Sequence, residues 1–175
     1  PILLYVGRMD ANKGAEEFLE ALTQLGHSKI DFYAVVVTGG TDFTDAQSRM
    51  HDAGIGDRVA FKYFVPHDDL VTYYGQTDIY VSTDKWANLT NTVLEALVGG
   101  SCIILLGSDP VTHVGESGEE LIPESIALRV PRSRPVEGLV ECLTSLIAEP
   151  DQIKVRRARS LQFADEKLWR WEDRI

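Results

Sequence analysis

The chain has 175 residues, 44% hydrophobic and 25% charged, with 2 cysteines and a formal net charge of -10. That length and composition suit one domain that buries a core without disulfides, and the acidic balance argues against nucleic acid as the main partner, since backbone phosphates demand an excess of Lys and Arg on one face. No apolar stretch reaches the length of a membrane span, and Cys102 and Cys142 sit in apolar and amphipathic runs where packing explains them better than a metal or a disulfide.

Ile2–Val6 is an apolar run that ends at Gly7, the pattern of a buried strand. Lys13–Leu25 follows, with Phe18, Leu19, Leu22 and Leu25 at helical spacing. Strand-like runs then recur at Phe32–Thr38, Val59–Phe61, Ile79–Ser82, Ser101–Leu106 and Ile126–Val130, and helical candidates lie between and after them at Asp42–Ala53, Asp68–Tyr74, Asn91–Val98 and Arg134–Ala148. Strands apolar on both faces, alternating with helices, predict an α/β fold: a Rossmann-like doubly wound parallel sheet of about six strands, joined by right-handed crossovers. Gly39-Gly40, Gly99-Gly100 and Gly107 punctuate the element ends.

Ile153–Ile175 mixes many charges with Leu161, Phe163, Leu168, Trp169 and Trp171, which predicts one or two amphipathic helices on the sheet edge. Lys154, Arg156, Arg157 and Arg159 form a basic cluster suited to peripheral contact with an anionic membrane, with a solvated helix face as the plainer reading. The absence of repeats and linkers predicts a single domain over residues 1–175. Pro1 stands at the very edge of the first strand, so the chain is expected to be cut from a longer protein, and a reducing cytoplasm is its default compartment.

Arg8 and Lys13 fall at the first strand-to-helix turn. Open α/β sheets bind ligands there, because loops at the carboxyl ends of parallel strands converge and helix N-termini point N–H groups outward. An anion with more than one phosphate fits such a turn. The run Asp84–Asn91 after the fourth strand is a second half-site, with Thr90 or Asn91 as helix cap, and its helix amides are expected to face the same crevice. Glu95, about one turn into that helix, can accept hydrogen bonds from a vicinal diol such as a ribose, although acidic residues also favour first turns for electrostatic reasons alone. Trp86 could stack on a sugar face. His51, His67 and His113 lack metal-ligand spacing, and no metal site is expected.

These motifs, in order, are the opening G-R-x4-K-G, Gly39, Arg58-Val59-Ala60-Phe61 leading to Phe64-Val65, Asp78-Ile79-Tyr80-Val81-Ser82, and Leu94-Glu95-Ala96-Leu97 before Gly99-Gly100. Over nearly its whole length the chain thereby resembles the C-terminal, nucleotide-sugar-binding half of the family 4 retaining glycosyltransferases of GT-B fold. The resemblance implies that Arg8 and Lys13 neutralise the donor diphosphate and that Glu95, the second acid of the family's E-x7-E motif, holds the ribose. It also places Leu89, Thr90 and Asn91 at the distal phosphate or the sugar, and Phe64 and Val65 in a Tyr63–Leu70 loop beside the nucleobase, with Gly7 and Gly39 completing the donor site. Two departures stand out. Ala87 occupies the position of the first acid, and Asn88-Leu89-Thr90 replaces the usual Gly-Phe-Gly. Asn88 and Asn91 amides could take over sugar hydroxyls and Asp84 could serve as substitute carboxylate, while local backbone bonding accounts for both Asn residues equally well.

The implied activity is transfer of a hexosyl unit from a nucleotide-diphosphate sugar to a hydroxyl of a lipid-linked or polysaccharide acceptor. No metal or other cofactor is expected, and the acceptor would be held by an N-terminal domain outside this chain, so the isolated domain should bind donor and transfer poorly. A non-catalytic nucleotide-binding or protein-interaction half and a nucleotide-sugar epimerase are the alternatives. A dinucleotide oxidoreductase is disfavoured, because Arg8 follows Gly7 where a G-x-G-x-x-G turn is required.

Overall fold

The structure, a computed structural model, describes residues 1–39 and 43–168. Strands β1 (Ile2–Val6), β2 (Tyr33–Val37), β3 (Val59–Lys62), β4 (Ile79–Ser82), β5 (Cys102–Leu106) and β6 (Ala127–Val130) form one parallel sheet in the order β3-β2-β1-β4-β5-β6. The chain walks outward from β1 to β3, then returns to lay β4 on the other flank of β1. This reversal leaves a crevice beyond the carboxyl ends of β1 and β4, where neighbouring crossovers leave toward opposite faces.

Alternation along each strand divides the core in two. Leu3 and Tyr5 of β1, Ile79 and Val81 of β4, and Cys102, Ile104 and Leu106 of β5 join one cluster, in which α1 (Ala15–His27) contributes Phe18, Leu19, Leu22 and Leu25 and α6 (Pro135–Ala148) contributes Leu139, Leu143 and Leu146. Leu4, Tyr80, Ile103 and Leu105 face the opposite cluster, with Val93 and Leu97 of α4 (Asn91–Val98) and Phe163 of α7 (Pro150–Lys167). The remaining helices are α2 (Phe43–Asp52), α3 (His67–Gln76) and α5 (Glu116–Leu121). Period-two burial on both faces is the physical reason these strands read as continuous apolar runs. Burial pushes the Cys102 thiol up to about 12 and the Cys142 thiol up to about 11.

Observed element ends differ from the sequence expectations by a residue or two, and α5 is an addition. Its sequence, ESGEEL, is too short and too polar to carry a helical apolar period. Gly40 and Asp42, at the expected second strand-to-helix turn, and Trp169 and Trp171, in the expected terminal amphipathic segment, lie outside the described residues. The basic cluster of α7 does not form one uncommitted face. Arg157 donates to Gly100 O at 3.0 Å and pairs with Asp78 at 2.7 Å, Arg156 and Arg159 reach the carbonyls of Glu124 and Ser125, and Lys154 pairs with Asp151 at 2.8 Å. The three arginine contacts tie α7 to the loops at the amino end of the sheet, while the Lys154 pair stays within the helix. Among the described residues no helix is long and apolar enough to cross a membrane.

Candidate functional site

The loop between β1 and α1 is fixed by polar contacts from three directions. Gly7 N donates to Val37 O at 3.0 Å and Met9 N to Gly39 O at 3.1 Å, extending the pairing of β1 with β2 past the strand ends. The Asp10 carboxylate accepts the Asn12 and Lys13 amides, both at 3.0 Å, closing an Asx turn. The Tyr5 hydroxyl donates to Lys13 O at 3.0 Å, and Thr83 Oγ1 lies 2.7 Å from Gly14 O and 3.2 Å from Lys13 O. Burial raises the Tyr5 phenol well above its ordinary range, so it remains a neutral donor. Gly14, with φ of 67°, caps α1, and a Cβ there would stand 2.6 Å from Thr83 Cβ.

Lys13 is thus aimed into a crevice of about 270 Å³, with Gly7, Arg8 and Lys13 on one wall and Asp84, Thr90, Asn91 and Thr92 on the other. Its ammonium lies 2.5 Å from Asp84 Oδ2, and that carboxylate's side chain is only 5% exposed. Asp84 Oδ1 accepts the amides of Trp86 at 2.8 Å and Ala87 at 3.1 Å. Asp84 is therefore the anchor of its own loop and the partner of Lys13, and neither oxygen is available as the substitute sugar acceptor that the missing acid at position 87 invited. The Arg8 side chain is 76% exposed and meets Asp10 at 3.2 Å, so it can swing to an anion with little loss. Thr90 Oγ1 accepts the Val93 amide at 3.4 Å, which caps α4 and leaves the positive end of that helix at the crevice.

Several expected site residues lie elsewhere. Asn88 is buried, and its Nδ2 donates to Leu106 O at 2.7 Å while its side chain packs between Gly115 and Gly118. An amide so held is structural, and only its backbone belongs to the loop. Glu95 does not share the crevice with Arg8 and Lys13. It stands one turn along α4, where its Oε1 meets His67 Nε2 of α3 at 2.9 Å and where it borders a groove of about 710 Å³ formed with Tyr74, Leu94 and Val98. Asn91 and Thr92 lie four and three residues before Glu95, so these side chains follow one face of the helix. Val65 is a core residue and Phe64 is 76% exposed; both line a separate hollow of about 360 Å³ beside Lys62 and Asp69. Gly39 contributes its carbonyl to the Arg8 loop and does not line the crevice, while Leu89 is partly exposed in the loop before α4.

Sequence reasoning missed Tyr5, Thr83 and His67. Tyr5 alternates inward on a strand and looks like core, Thr83 is one residue past a strand end, and nothing local to His67 indicates that Glu95 will meet it. Among the described residues no group of three or more His, Cys, Asp or Glu side chains could hold a metal ion.

An open parallel sheet whose switch-point crevice joins a strand-end Arg and Lys to a helix N-terminus is an α/β arrangement whose charge and free amides suit an anion. Residues 1–153 match the family described as Glycosyl transferases group 1, and the chain belongs to that family. It is 26% identical over 107 residues to a 2-deoxystreptamine glucosyltransferase of Streptomyces kanamyceticus, covering 61% of this chain and 28% of the relative. It is 22% identical over 182 residues to a GDP-mannose-dependent alpha-(1-6)-phosphatidylinositol monomannoside mannosyltransferase of Mycobacterium tuberculosis, covering 98% of this chain and 44% of the relative. Among solved structures, it is similar to the C-terminal domain of a glycosyl transferase group 1 family protein from Francisella tularensis, with a TM-score of 0.78 and 20% identity over 95% of this chain and 84% of that one. The fold is that of a C-terminal GT-B domain, and the chain spans less than half the length of these curated relatives.

Proposed function

We propose that this chain is the donor-binding half of a retaining, metal-independent glycosyltransferase of family 4, which moves a hexosyl unit from a nucleotide-diphosphate sugar to a hydroxyl of a lipid-linked or polysaccharide acceptor. The observation that carries the reading is the crevice of about 270 Å³ in which Arg8 and Lys13 face the N-terminus of α4. Membership in the group 1 family and similarity to a relative named for its GDP-mannose dependence support it.

In this reading the leaving diphosphate gains negative charge as the anomeric C–O bond breaks. Arg8 presents a planar guanidinium to two phosphate oxygens, the α4 amides face a third, and Lys13 exchanges Asp84 for the ligand. Positive charge aimed where anionic character develops lowers the barrier, because the interaction is stronger in the transition state than in the ground state. The nucleoside runs from the crevice along α4, and Glu95, about 5.4 Å further on, takes the ribose hydroxyls. The acceptor would be held by a second lobe outside this chain, in a cytoplasmic protein working at or near a membrane face.

Calorimetric titration with UDP, GDP and ADP tests the site. At least one nucleotide is expected to bind, and Arg8→Ala or Lys13→Ala should each weaken it about tenfold or more, the worth of a charge-assisted hydrogen bond. Affinity indifferent to both substitutions refutes the diphosphate assignment.

A further inference from the structure

Glu95 is not idle in this structure. Its Oε1 lies 2.9 Å from His67 Nε2, across the gap between the first turn of α3 and the body of α4. A carboxylate that grips a vicinal diol uses both oxygens, one for each hydroxyl. The imidazole therefore holds a position on Oε1 for which a ribose hydroxyl must compete. We propose that His67 is a competitive gate on Glu95: when protonated it holds the carboxylate in an ion pair that a ribose must displace, and when neutral it yields. The inference rests on the reading of Glu95 as the ribose acceptor, and it adds a residue that tunes donor affinity with pH.

The groups around the pair support this direction. From α3, Asp68 Oδ1 lies 3.9 Å from His67 Nδ1, and Asp69 stands in the same first turn. From beneath come the hydroxyls of Tyr74 on α3 and Tyr80 on β4. Burial, aided by the Glu95 charge, pushes both phenols up, so they stay neutral. Lys167, at the end of α7, borders the same groove as Glu95 and is the one cation among the described residues that line it. The hydrogen bond and charge of Glu95, and after them the charge of Asp68, raise the His67 pKa above its ordinary value, while the positive end of α3 acts in the opposite sense. The imidazole side chain is 71% exposed, so it can leave by rotation without disturbing packing. Capture of Glu95 by a bound ribose withdraws what favours the cation, so binding releases a proton and weakens as pH falls.

The test compares wild type with His67→Gln in the full chain, measuring dissociation constants from about pH 8 down to about pH 5.5 for whichever of UDP, GDP and ADP binds best, and for inorganic pyrophosphate. Relative to His67→Gln, the wild type should lose nucleotide affinity by about two- to fivefold as pH falls, the factor an exposed ion pair is worth. Pyrophosphate, which has no ribose, should keep the same wild-type to variant ratio throughout. Parallel nucleotide profiles for the two proteins, or a wild type that gains relative affinity in acid, overturn the gate while leaving the ribose site intact, provided that Glu95→Gln weakens nucleotide and spares pyrophosphate. A Glu95→Gln variant that binds nucleotide as tightly as wild type overturns the ribose reading and the gate together.

Discussion

Replacing Gly14 by Ala asks whether the loop between β1 and α1 is held by contact with Thr83, just past β4, or only by its own turn. The residue has φ of 67°, and an added methyl would meet the carbonyl oxygen of Thr83, its Cβ at 2.6 Å and its Oγ1 at 2.8 Å. A left-handed conformation costs a non-glycine residue about 1–2 kcal/mol. Because backbone and Cβ atoms cannot yield as a flexible side-chain tip does, Thr83 must also move and release its buried 2.7 Å bond to Gly14 O, a further loss of about 1 kcal/mol. The sum is about 2–3 kcal/mol. Gly54, at the end of α2, supplies the control: its φ is 72°, yet nothing lies within 4 Å of where a methyl would stand. Gly54→Ala should therefore show the conformational part alone. Urea unfolding of both variants, with unchanged m-values, should place Gly14→Ala at least about 1 kcal/mol below Gly54→Ala. Nucleotide affinity should fall only for Gly14→Ala, since Thr83 and Tyr5 also hold the Lys13 carbonyl. Equal destabilisation by the two substitutions would refute the claim that close packing of α1 on β4 positions the loop.

Asp84→Asn should release Lys13 from its 2.5 Å partner while keeping an oxygen for the Trp86 and Ala87 amides. Pyrophosphate binding at low salt is expected to tighten severalfold and stability to drop by about 1–2 kcal/mol, read by calorimetry and urea unfolding; unchanged anion affinity would show that Asp84 does not compete for the ammonium. Stability should also decline in mild alkali. Folding holds Cys102 and Cys142 protonated up to about 12 and 11, whereas the unfolded thiols ionise from about pH 9, so the unfolded state binds fewer protons above that point. Each thiol then removes up to about 1.4 kcal/mol per pH unit between about pH 9 and 11, and Cys142→Ala should flatten part of that slope in unfolding midpoints.

The linear sequence determined the layers and the approximate place of the crevice between Arg8 and the start of α4. Runs such as Cys102–Leu106, apolar at every position, can satisfy both neighbours only in a sheet covered on each face, and the alternation with amphipathic helices makes that sheet parallel. The pairing of Arg8 with the start of α4 was legible for the same reason, since strand ends and helix starts of a parallel sheet gather on one edge. Residues whose contacts cross between distant segments were not legible. Lys13 meets Asp84 across 71 positions, Asn88 finds Leu106 O across 18, and His67 reaches Glu95 across 28. Local patterning reports which face a side chain takes on its own element. It does not report the angstrom-scale spacing between elements, and that spacing decides whether a charge is available to a ligand or already satisfied by the protein. Tertiary packing alone therefore made Asn88 a structural residue, gave Lys13 a resident partner, and put Glu95 one helical turn away from the crevice.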